Sequence, residues 1–79
     1  MRTFSSYDEA IRYLEKSQSP IALYRIAKKG RNPYYRVEKK VLTIQDFGMQ
    51  HGDNIAFIGV YYPGKGLEEN KEGLLRQWK

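Results

Sequence analysis

The sequence predicts a single small α+β domain over residues 1–79, in the order helix, strand, strand, strand, helix. The strands form an antiparallel three-stranded sheet, and both helices pack on one of its faces. Three observations predict this. Apolar residues recur at helical spacing near both ends, at Tyr7, Ile11 and Leu14 and at Leu67, Leu74, Leu75 and Trp78. Between them lie runs rich in β-branched and aromatic residues, punctuated by Gly, Pro, Asn and Asp. Seventy-nine residues, 41% of them hydrophobic, suffice for one core and no more.

The first helix spans residues 6–17. Ser6-Tyr7-Asp8-Glu9 reads as a capping box, in which the Ser hydroxyl accepts the third backbone N–H and Glu9 reaches back to the cap. Ala10 joins the apolar stripe, and Asp8, Arg12, Glu15 and Lys16 line the opposite face. Pro20 disfavours helical geometry at Ser19, so Ser17-Gln18-Ser19-Pro20 ends the helix. Residues 21–28 read as a strand, and Lys29-Gly30-Arg31-Asn32-Pro33 as a turn. Residues 34–42 return as the second strand of a hairpin. Its apolar face carries Tyr35, Val37 and Val41, and its polar face Tyr34, Arg36, Glu38 and Lys40. Lys39 interrupts the apolar row, which places it near an edge. Thr43 caps a short helix through Asp46, Phe47 and Met49, weakened by Gly48, and His51-Gly52-Asp53 is a turn.

Residues 54–62 are apolar on both faces, which predicts the central, best-buried strand. Pro63-Gly64-Lys65-Gly66 ends it, and residues 67–78 form the last helix, at a cost of about 1 kcal/mol for Gly73. The core then joins Ile11, Leu14, Phe57, Leu74 and Leu75. The sheet face away from the helices meets solvent or a partner.

The chain has no Cys, which excludes disulfides and thiolate metal sites. Secreted domains of this size often need such staples, so the expectation is a cytoplasmic protein. No apolar run approaches the roughly 18 residues of a membrane span, and the polar turn at Ser5 leaves no apolar core of a signal peptide. The net charge is +5 and unevenly spread. Between positions 25 and 40, seven basic residues face the single acid Glu38, so this stretch carries the whole excess.

Two catalytic patterns fail on inspection. Gly59 to Lys65 matches the G-x-x-x-x-G-K of a phosphate loop, but Gly66 stands where Ser or Thr should hold Mg²⁺. Val60-Tyr61-Tyr62 are strand formers, and Glu68 and Glu69 follow where phosphate would bind. His51 is the only His, and with Asp46 and Asp53 it makes neither a defensible triad nor a metal set. The sequence therefore predicts no enzyme, no cofactor and no metal. The helix–strand–strand–strand–helix order is similar to that of double-stranded-RNA-binding domains. Their Gly-Pro-x-His loop and Lys-Lys-x-x-Ala-Lys run are both missing, so no residue is carried over.

The remaining constellation is the basic hairpin, residues 24–40. Arg25, Lys28, Lys29, Arg31, Arg36, Lys39 and Lys40 are interleaved with Tyr24, Tyr34 and Tyr35. Lys and Arg neutralise phosphates, and Tyr rings stack on unpaired bases. The expected function is a non-catalytic module that binds a polyanionic partner, nucleic acid first, with little sequence specificity. The expected contacts are those seven cations together with Tyr34. The alternative partner is an acidic protein surface. In that case the chain is a small regulatory or inhibitory protein, of the kind found in phages, docking on a larger one through Tyr34, Tyr61 and Tyr62.

Overall fold

The computed structural model describes residues 2–42, 44–48, 52–70 and 74–77, with the backbone alone at Ile44 and in 74–77. Its elements are β1 (Arg2–Phe4), α1 (Tyr7–Glu15), β2 (Ile21–Ala27), β3 (Tyr34–Glu38), a 3₁₀ turn (Ile44–Phe47), β4 (Asn54–Tyr62), β5 (Gly66–Glu69) and β6 (Leu74–Gln77). The sheet is antiparallel in the order β1-β3-β2-β4-β5, with β6 also pairing to β4.

α1 starts where the capping box requires. The Ser6 Oγ accepts the Glu9 N–H at 3.2 Å, and its hydroxyl meets the Glu9 carboxylate at 3.2 Å. Ala10 and Leu14 are buried against the sheet, with Ile11 and Tyr13 partly so.

Residues 66–69 and 74–77 are strands where a second helix was expected at 67–78, and among the described residues the three-stranded sheet with two helices is replaced by one helix and a five-stranded sheet. β5 and β6 together fill the fifth position. The chain reverses at a tight turn in which the Lys65 N–H donates to the Tyr62 carbonyl at 3.0 Å. Pro63 and Gly64, with Gly64 at φ 80°, occupy its centre as a type II turn demands. Residues 66–69 then pair back onto 59–62. Asn70 continues the ladder, donating its N–H to the Ile58 carbonyl at 2.8 Å and its Nδ2 to the Phe57 carbonyl at 3.2 Å. β6 resumes the pairing at Asn54–Ala56.

The physical reason is twofold. An apolar strand such as β4 must pair its backbone groups along both sides. The helical stripe was also incomplete, because residues 68–73 contain nothing apolar and so left out a whole turn of the face to be buried. The side chains of Leu74 and Leu75, and all of Trp78, lie outside the described residues.

The faces of the sheet also differ from those expected. The central strand is β2, whose Ile21, Ala22, Leu23, Tyr24 and Ile26 are all buried. On one side Ile21, Leu23 and Val37 pack under α1 with Phe4, Tyr35, Ile58 and Tyr61. On the other, Ala22, Tyr24, Ile26 and Ile55 pack with Leu42, Phe47, Phe57, Val60 and Tyr34. The second face is therefore not open to solvent: Leu42 and the 3₁₀ turn cover it. Phe57 belongs to that cluster, not to the core of Ile11 and Leu14.

The alternation slips because β4 carries a bulge. Leu23 pairs with Gly59 and Tyr24 with Phe57, which skips Ile58. A Cβ on Gly59 would collide with the Glu68 carbonyl, so the close approach of β5 needs a glycine there.

β1, which adds a strand beside β3, was not expected from Arg2-Thr3-Phe4. β3 ends at Glu38 rather than at 42. The short helix expected from Thr43 is one 3₁₀ turn holding Asp46 and Phe47; Thr43, Met49 and His51 lie outside the described residues. With these changes the element order no longer matches that of double-stranded-RNA-binding domains. Among the described residues, no helix is long and apolar enough to cross a membrane.

Candidate functional site

The β2–β3 register, from Ile26 opposite Tyr34 to Ala22 opposite Glu38, sets where each cation of the hairpin stands. At the tip, the Arg31 N–H donates to the Lys28 carbonyl at 3.1 Å, and Gly30 takes φ 78°. Lys29 and Arg31 are exposed there and Lys28 is half-buried. At the other end of the five-residue β3, the chain bends through Lys39 and Lys40, both exposed.

The two ends differ in surroundings. At the base, β1 brings Arg2 opposite Val37, and the end of α1 brings Lys16. The Arg2 guanidinium lies 5.0 Å from the centre of the Tyr13 ring and 5.8 Å from that of Phe4. Arg2, Lys39 and Lys40 thus rim a cavity of about 430 Å³ beside Tyr13. A second depression of about 290 Å³ shares Tyr13, Ile21 and Lys39 with it and reaches Lys16.

Not every cation expected at the site is available. The Arg36 Nε donates to Glu38 Oε2 at 2.6 Å, and its guanidinium lies 5.0 Å from the Phe47 ring centre. Its side chain is only 18% exposed. The face of Tyr34, Arg36 and Glu38, expected to be polar and open, is the one beneath the 3₁₀ turn. Tyr34 is half-buried in that cluster, and Tyr24 is wholly buried. Arg25 is exposed on the α1 face, opposite Tyr35. Tyr35 meets the 40%-exposed Tyr7 edge-on at 5.7 Å. Burial, and after it the charge of Glu69, raises the Tyr7 hydroxyl pKa, so that ring stays neutral.

The expected set therefore divides into a tip group (Lys28, Lys29, Arg31), a base group (Lys39, Lys40), the lone Arg25, and the packed Arg36 and Tyr34. Sequence reasoning missed Arg2, Tyr13 and Lys16. Nothing local marks them, since only the pairing of β1 with β3 and the packing of α1 bring them to the base. Of the tyrosines expected to dock on a protein, Tyr62 is 36% exposed, whereas Tyr34 and Tyr61 pack on opposite faces of the sheet.

The phosphate-loop near-match lies in a strand–turn–strand hairpin. It therefore lacks the helix N-terminus that such a loop uses. Among the described residues, no group of three or more His, Cys, Asp or Glu could hold a metal ion. No family model, no curated protein and no solved structure matches the chain.

Proposed function

We propose that this chain is a non-catalytic, cytoplasmic binding module for a polyanion, nucleic acid first, engaged through the two ends of the β2–β3 hairpin. The observation that carries the reading is the placement of the cations. Lys29 and Arg31 stand exposed at the tip, and Lys39 and Lys40 stand exposed at the base beside Arg2. These contacts position a backbone without reading bases, so sequence specificity is low.

The test is fluorescence anisotropy with labelled single-stranded and duplex DNA and RNA. With about four to six phosphate contacts, log K should fall against log salt with a slope near −3 to −5. Lys29→Glu with Arg31→Glu, and separately Lys39→Glu with Lys40→Glu, should each weaken binding and flatten that slope. Arg36→Gln paired with Glu38→Gln should leave the slope unchanged, because the two charges already neutralise each other. Affinity no tighter than about 100 μM at about 50 mM salt refutes the reading, since ordinary non-specific association is at least that strong.

A further inference from the structure

The base of the hairpin differs from the tip in being concave, and its chemistry is layered. The floor is apolar: Ile21 and Val37 belong to the core, and Tyr13 stands at the side. The rim is cationic, with Arg2, Lys39 and Lys40 around the main cavity and Lys16 along its extension. Among the described residues, Glu38 is the one acid lining the main cavity, and its carboxylate is taken by Arg36 at 2.6 Å. The Arg2 guanidinium lies against the Tyr13 and Phe4 rings, which favours its placement at the rim. The volume, about 430 Å³, lies in the range of small-molecule sites.

We propose that this groove seats one nucleotide of a bound single strand, with its base against Tyr13, Ile21 and Val37 and its flanking phosphates on Arg2, Lys39 and Lys40. A flat array of lysines would bind only the phosphates. An apolar floor beneath a cationic rim suits a ligand that is planar and apolar in its body and anionic at its ends. Lys16, in the adjoining depression, then takes the next phosphate. The inference rests on the nucleic-acid reading above and adds to it the one place where a base, rather than the backbone alone, is held.

The test is a titration of the isotope-labelled full chain, followed by amide chemical shifts. The ligands are a 5′-phosphorylated thymidine dinucleotide, an abasic dinucleotide of the same charge, and a twelve-residue oligothymidine. The base-bearing dinucleotide should shift Ile21, Val37, Lys39 and Lys40 saturably. The abasic analogue should bind about tenfold more weakly, the loss expected for one stacked base. Lys39→Ala with Lys40→Ala, both exposed positions, should abolish the dinucleotide response while the circular dichroism and melting temperature stay near wild type. If the oligothymidine binds but the dinucleotides shift only Lys28 to Arg31, or the two dinucleotides bind equally, the groove assignment is overturned and the binding module stands. If the oligothymidine shifts nothing, the nucleic-acid reading itself falls and takes the groove assignment with it.

Discussion

Replacing Tyr24 with Phe removes a single oxygen atom from the middle of the molecule. Tyr24 is fully buried, stacked on Phe57 at 5.2 Å and set edge-on to Phe47 at 5.0 Å. Phe preserves both ring contacts. What it deletes is the acceptor for the Leu42 N–H, which meets the Tyr24 hydroxyl at 2.6 Å in a buried bond. A buried amide left without a partner costs about 1–3 kcal/mol. In a domain of this size each kcal/mol shifts the melting temperature by roughly 4–8 °C, so the variant should melt at least about 4 °C lower.

The same bond anchors the chain immediately after Lys39, Lys40 and Val41, so the loss should also loosen the base of the hairpin. Thermal melting combined with amide hydrogen exchange checks both. The Leu42 amide should exchange faster by more than the global loss of stability explains. A melting temperature within about 1 °C of wild type, with Leu42 as protected as before, would refute the argument that this bond fastens the 42–47 segment to the sheet.

Three further outcomes are expected. Burial, partly opposed by the Leu42 N–H, raises the Tyr24 pKa above 10.0. A group whose folded pKa is raised contributes stability that is complete below pH 10 and lost as pH climbs beyond it. Alkaline destabilisation above pH 10 should therefore be smaller in Tyr24→Phe than in wild type, measured as urea midpoints. Gly59→Ala should push β5 off β4 at a cost of about 1–3 kcal/mol, seen as lost amide protection in 66–70 with α1 unchanged; full protection there would show that the bulge has room for a methyl. Leu14→Ala should cost about 2–5 kcal/mol and Phe57→Ala about 3–5. The milder pair Leu14→Val and Phe57→Leu should add within about 0.5 kcal/mol, because the two residues serve different faces of the sheet; strong coupling would return them to one core.

The parts of the fold written in local chemistry were legible. Ser6 and Glu9 specify the start of α1, Pro20 follows its end, and Lys29 to Pro33 turn one strand into the next. What escaped reading depended on partners far along the chain. Arg2-Thr3-Phe4 becomes a strand only because β3 offers it an edge. Leu67, Leu74 and Leu75 have helical spacing, but the fate of their segment is decided by the unpaired side of β4. The bulge at Ile58 changes which residues share a face, which no strict alternation can anticipate. The candidate site was half legible for the same reason. The charge excess between 25 and 40 is visible in the composition, whereas the capture of Arg36 by Glu38 and Phe47, and the arrival of Arg2 and Lys16 beside Lys39, are products of the tertiary fold.

The pairing of β2 has a consequence for how the chain reaches this state. β2 receives β3 from the residues that immediately follow it, but Ile21 waits for Tyr61, and Arg2 waits for Val37. A two-stranded hairpin alone is marginal in water. The most buried strand therefore stays uncovered along one side until nearly the whole chain is available. Folding should be a single late, cooperative step, in the roughly millisecond-to-second range of topologies dominated by distant pairings. Until Asn54–Tyr62 arrives, the row of Leu23, Tyr24 and Ile26 is the stretch most exposed to association with other chains, and molecules truncated before β4 should aggregate rather than fold.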